Sequence, residues 1–173
     1  MLIADGTLPA LRLGRRAIRL RKDDVDHVLR PIGSCIGGES GAGRQRDVGE
    51  GRRALEVEAA RLAARRRTAT DAASLMAVRD ARAMAYHEGI IERMVDTDLA
   101  LHRAIVKTAA NPVLLSLYEN LIDAIGENIR FNFVTDTHGA DAHDVLIEAI
   151  VAGNDRRAVE ETTEYLSGLV PEA

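Results

Sequence analysis

After about residue 47, apolar residues recur every three to four positions along nearly the whole chain. Leu55, Ala59, Leu62 and Ala63 share one helical face with Arg and Glu opposite, which predicts a helix over about 47–67. A second is expected over about 71–87, capped by Thr70-Asp71, with Leu75, Val78, Ala81 and Ala85 inward. Gly89 breaks the pattern. A third helix from about Ile91 to Ala110 carries Val95, Leu99, Ile105 and Val106. Asn111-Pro112 joins a capping residue to a proline at the first helical position and opens a fourth helix, about 112–131, striped with Leu114, Leu117, Tyr118, Leu121, Ile125 and Ile129. The polar stretch 134–141 reads as a loop. A fifth helix follows over about 141–152 and stops at Gly153; a sixth, capped by Asn154 or Asp155, reaches about Gly168. The expected fold class is all-α: an antiparallel bundle of about six helices preceded by an irregular N-terminal segment.

That N-terminal segment has a different character. Seven glycines between residues 33 and 51 read as a flexible linker, and residues 11–22 (LRLGRRAIRLRK) hold six basic residues and no acid. The division is therefore drawn at 1–46 and 47–173. Composition agrees with the helical reading: 46% hydrophobic but only 3% aromatic, without Trp, leaves Ala, Leu, Ile, Val and Met to build the core. The net charge of −4 does not mark the whole surface for nucleic acid. Cys35 has no second cysteine to pair with, no run approaches the ~18 apolar residues of a membrane span, and no signal pattern opens the chain. A cytoplasmic protein without a membrane partner is expected.

Among the chemistry-bearing residues, Asp98 and His102 stand four apart, so a helix directs both from one face, about one turn apart. His143 on a later helix can converge on the same interior point in a bundle with short connections, with Tyr165 considered alongside. One carboxylate and two imidazoles suit Zn, Ni, Mn or Fe(II) rather than Ca or Mg. The spacing alone is equally served by a salt-bridged surface pair, and His138 with His143 by a solvated loop; His27 and His87 read as surface residues. No histidine has Glu three positions before it, which excludes the Glu-x-x-His pair of a di-iron bundle. His143-Asp144 is the dipeptide of helical metal-dependent phosphohydrolases, and a hydrolase on His102, His143 and Asp144 is the enzymatic alternative. Cys35 has no activating partner in view, and no glycine-rich loop joins a strand to a helix.

Three separated segments, RRALEVEAARLAARRRTATD (52–71), DLALHRAIVKTAANPVLLSLYENL (98–121) and HDVLIEAIVAGNDRRAVEETTEYL (143–166), together resemble the C-terminal effector-binding domain of GntR-family regulators of the FadR type, in order and with near-family spacing. The resemblance implies a non-enzymatic, dimerising transcription regulator domain that binds a small carboxylate effector, often beside a divalent metal (Zn, Ni or Mn). It maps the metal ligands onto Asp98, His102 and His143, and puts Tyr165 where the family has its last histidine, a departure because a neutral phenol is a poor ligand near pH 7. Arg52 is implied as the partner of the effector carboxylate, since its fork matches two oxygens. Asn111 is considered for the effector as well, with a helix-cap role the stronger expectation. Of the family's winged helix-turn-helix only IADGTLPALRL (3–13) has a counterpart, and no recognition helix follows. Residues 1–46 are thus expected to be an incomplete DNA-binding region, with Arg15, Arg16, Arg19, Arg21 and Lys22 able to meet phosphates without sequence preference. A stand-alone helical sensor or dimerisation module without DNA binding is the alternative.

Overall fold

The computed structural model describes residues 10–13, 17–20, 41–135 and 141–167. The chain divides into two units, Met1–Gly37 and Gly38–Ala173. In the first, β1 (Ala10–Leu13) pairs antiparallel with β2 (Ala17–Leu20), with Ala10 opposite Leu20 and Leu13 opposite Ala17. The segment expected to be irregular therefore contains a hairpin. Each strand is only four residues long, too short to establish period-two alternation, and the register sets Arg12 opposite Ile18 and Arg19 opposite Leu11. Arg15, Arg16, Arg21, Lys22, His27 and Cys35 lie outside the described residues, as does His138.

The second unit is the expected all-α bundle, built from six helices: α1 (Gly41–Arg66), α2 (Ala69–Glu88), α3 (Ile91–Thr108), α4 (Pro112–Thr135), α5 (Asp141–Ala152) and α6 (Asp155–Ser167). Helix α1 is central and packs against α3, α4, α5 and α6, while α2 covers α3 and α5. Ala59, Ala60, Ala63 and Ala64 have no exposed surface, and such small side chains let four neighbours approach one helix. Leu75, Leu101, Ile125, Ile147 and Ile150 fill the spaces between. No helix of the described residues is long and apolar enough to cross a membrane.

Several local expectations are corrected. Helix α1 starts at Gly41, so the glycine-rich stretch 41–51 is helix rather than linker. Helix-disfavouring glycines are overridden by docking on α4: Asn128 Nδ2 donates to Gln45 Oε1 at 2.9 Å and to the Gln45 carbonyl at 3.2 Å, and Arg44 pairs with Glu127 at 3.1 Å. The cap of α2 is Thr68, not Thr70-Asp71. Thr68 Oγ1 accepts from the Asp71 N–H while the Asp71 carboxylate accepts from the Thr68 N–H, a reciprocal capping box. On α2 the inward position expected for Ala81 belongs to Arg82, and Ala81 is exposed. On α4 Leu117 is 47% exposed and drops out of the apolar stripe.

Other stops fall where expected. Gly89 ends α2 in the left-handed conformation at φ 71°, and Asn111 Oδ1 accepts from the Val113 and Leu114 N–H groups to cap α4. Asn154 caps α6 through the Arg157 N–H at 3.1 Å.

Candidate functional site

The bundle interior holds polar side chains from all six helices. Arg52 and Glu56 come from α1, Arg82 from α2, Asp98 and His102 from α3, Tyr118 from α4, His143 from α5 and Tyr165 from α6. All are buried except Tyr165, which is half-buried. Asp98 and His102 are neighbours because α3 repeats every 3.6 residues, and His143 faces them from the first turns of α5.

Each of Asp98, His102 and His143 presents one donor atom, and these atoms lie within 4.8 Å of one another. The two Nε2 atoms are 3.1 Å apart, His102 Nε2 is 3.5 Å from Asp98 Oδ2, and His143 Nε2 is 3.6 Å from Asp98 Oδ1. Two imidazole lone pairs at 3.1 Å repel, so this spacing calls for a proton or a cation between them. The His102 ring is backed by a carboxylate: its Nδ1 is 2.9 Å from Glu56 Oε2, an ion-pair contact at an oxygen that has no hydrogen-bond partner among the described residues. A carboxylate backing an imidazole in this way fixes the tautomer and leaves Nε2 free to face a metal. The donor set and its geometry fit a divalent transition metal.

The ionisation of the cluster follows from its packing. Burial by itself would raise the Glu56 carboxyl, but the Arg52 guanidinium and His102 outweigh it and hold the group at about 2. Asp98 is held well below the carboxylate range against its burial by His102, His143 and Arg82. Burial presses both histidines down; Glu56 and Asp98 reverse this for His102, which is raised, whereas His143 stays well below the usual imidazole value. Burial pushes the Tyr165 and Tyr118 phenols well above their ordinary range, so both are neutral.

Arg52 Nε donates to Glu56 Oε1 at 2.7 Å, while its Nη1 and Nη2 have no hydrogen-bond partner among the described residues. Its guanidinium carbon lies 5.8 Å from the Tyr165 ring centroid, and that ring stacks on His102 at 5.8 Å and meets the His143 ring edge-on at 4.3 Å. The structure thus brings Arg52, Asp98, His102, His143 and Tyr165 into one cluster. Asn111 stands apart in role, its Oδ1 committed to the α4 cap. Asp144, adjacent to His143 on α5, projects elsewhere: it is half exposed and 3.9 Å from Arg79, so the hydrolase dyad does not form.

Two members of the cluster, Glu56 and Arg82, carry little signal in the sequence. Glu56 accepts from Arg52 Nε and, at 3.2 Å, from the Tyr118 hydroxyl, and it backs His102. Arg82 Nε donates to Asp98 Oδ1 at 2.6 Å, and Arg82 Nη2 to the Tyr86 hydroxyl at 2.7 Å. The available signals were weak: Glu56 stands four after Arg52, and Arg82 occupies the next step of the series 75, 78, 82, 85.

Residues 47–168 match the model of the FCD domain family. Among solved structures the chain is similar to Streptococcus agalactiae GntR, with a TM-score of 0.65 and 21% identity over 96% of this chain and 75% of that one. It is similar also to E. coli McbR/YncC, with a TM-score of 0.62 and 16% identity over 96% and 72% of the two chains. At these identities the likeness concerns the fold. A further match is to the excisionase of Mycobacterium phage D29, 58% identical over 31 residues; this is 18% of the present chain, which spans 55% of that relative's length. The FCD fold serves GntR-family transcription regulators in an effector-binding role and is not an enzyme. With a family model covering most of its length and all six helices of its bundle, the chain belongs to the FCD domain family of GntR/FadR-type regulators.

Proposed function

We propose that the bundle senses a small organic acid, with a divalent cation (Zn, Ni or Mn) held by Asp98, His102 and His143 and the acid's carboxylate received by Arg52. The observation that carries this reading is the convergence of three donor atoms within 4.8 Å in a buried cluster that also contains the two unpartnered Nη groups of Arg52. Charge balance supports it. Arg52 and Arg82 offset Glu56 and Asp98, so a divalent ion brings net positive charge into a buried cluster, and an anionic guest is the natural counterweight. When bound, the metal supplies a Lewis-acidic positive centre beside the acid. The chain's own residues do the rest: Glu56 orients His102, Arg82 orients Asp98, and the Tyr165 ring packs over both imidazoles.

In the regulator so proposed, the domain forms a homodimer and guest entry shifts the packing of α1 against α3, α5 and α6. The part of residues 1–46 that precedes α1 acts as an incomplete DNA-binding region whose basic residues meet phosphates. The test is a calorimetric titration of metal-stripped protein with Ni²⁺ and Zn²⁺, followed by a thermal-shift screen of small carboxylates with and without the metal. Tight one-to-one metal binding that His143→Ala abolishes, together with carboxylates that raise the melting temperature, is the expected result. Unchanged metal content in His143→Ala overturns the reading.

A further inference from the structure

One carboxylate lies between the anion-receiving and cation-receiving halves of the cluster. Glu56 Oε1 takes the Arg52 Nε–H at 2.7 Å and the Tyr118 hydroxyl at 3.2 Å, while Oε2 faces His102 Nδ1 at 2.9 Å. Arg52, Tyr118 and His102 stand on α1, α4 and α3, so Glu56 ties three helices through a single delocalised charge. We infer that Glu56 is a positioning residue that couples the two halves, so that cation binding at His102 and carboxylate binding at Arg52 strengthen each other through it. This rests on the site reading above and goes beyond it by naming the physical link.

The direction follows from charge sharing. A cation on His102 Nε2 adds positive charge to the ring 2.9 Å from Glu56 Oε2, which has no hydrogen-bond partner of its own among the described residues, and so pulls the Glu56 charge toward Oε2. Less charge is left on Oε1 to neutralise Arg52, whose two free Nη groups then attract an external carboxylate more strongly. Linkage makes the effect reciprocal: a carboxylate on Arg52 loosens its hold on Oε1 and returns charge to the pair with His102. Tyr118 sets the balance by taking a share of Oε1.

The experiment uses Ni²⁺ titration and acetate binding, the latter followed by the Arg52 side-chain N–H resonances, on the full chain and on Glu56→Gln. In Glu56→Gln, nickel affinity is expected to fall about 10–100-fold, as for loss of a residue backing a histidine ligand. Acetate affinity of the metal-free protein is expected to rise about fivefold or more, because Arg52 is released from its internal carboxylate. A residue that merely supports the fold would weaken both, so equal losses, or no change in either, overturn the coupling role while leaving the site reading intact. A wild-type chain that binds neither nickel nor acetate overturns the site reading beneath it. Should Glu56→Gln unfold, Tyr118→Phe decides: Oε1 then pulls harder on Arg52, and the expected signature is weaker acetate and tighter nickel binding. Any other pattern in that variant overturns the inference.

Discussion

The apolar interior around Leu75, Ile147 and Ile150 and the polar interior around Glu56, Asp98 and His102 are equally sheltered from water, yet they rest on opposite terms. Each fully buried Leu or Ile contributes roughly 1.5–3 kcal/mol by leaving water, and the alanine face of α1 lets them pack without gaps. The polar side chains must first be stripped of water, and their pairing only recovers that cost. Well-packed apolar residues of the same volume would hold the helices together at least as well. Six helices nevertheless deliver eight polar side chains to one place. Stability does not explain that convergence; the charged guest proposed above would.

The comparison is broken or upheld most directly by charge truncation. Asp98→Ala removes the carboxylate that accepts from Arg82 Nε in the interior and is expected to cost about 3–5 kcal/mol in urea denaturation without added metal. Leu75→Ala is expected to cost about 2–5 kcal/mol through its cavity. The two differ in what rescues them. Replacing Arg82 and Asp98 together by Leu should recover most of the loss from the single truncation, because the paired charges nearly break even. A double variant no more stable than Asp98→Ala would show that the polar interior carries the fold after all.

Metal separates the interiors next. Zn²⁺ at about one hundred times its dissociation constant should stabilise the wild-type chain by about 2.7 kcal/mol. Leu75→Ala should gain the same increment from its lower baseline, and His143→Ala none. A smaller effect is expected at the departure on α6: Tyr165→His supplies a third imidazole and should tighten Ni²⁺ binding about tenfold, or ~1.4 kcal/mol. Unchanged affinity in that variant would place residue 165 outside the coordination sphere.

The apolar interior was far more legible in the sequence than the polar one. Helical periodicity announced every helix from α1 to α6, because burial repeats at 3.6 residues whatever the tertiary detail. The errors fall where tertiary contacts override local preference. Gly41–Gly51 is helical because Gln45 and Arg44 dock on α4, and a Gly-rich stretch carries no trace of that docking. Asp98 and His102 were visible because both sit on one helix face. Glu56 and Arg82 were not, because a Glu or Arg in a helix is by default a solvated residue, and only the partners arriving from α3 and α4 make these two interior. Ala81 reads as inward for the same reason: alanine is compatible with either face, and arginine at the next position reads as surface.

The capping box of α2 lies outside both interiors and sets the smallest scale. Thr68→Ala removes the hydroxyl that accepts the Asp71 N–H and should cost about 1 kcal/mol, with no change in nickel affinity. Its pH dependence has a definite sign. The Asp71 carboxyl is held below its ordinary value, chiefly by the Thr68 backbone N–H and then by the Thr68 hydroxyl. The native state thus favours the ionised form more than the unfolded chain does. The stability this gives is fully present above the ordinary aspartate value of about 4 and is lost as the pH falls through and below it. Denaturation midpoints between pH 5 and 3 should therefore fall less steeply in Asp71→Asn than in the wild type. The buried carboxylates remain in both proteins, so the difference between the two slopes isolates the cap. Identical slopes would mean that Thr68 and Asp71 meet without favouring the charge, and the box would then be geometry alone.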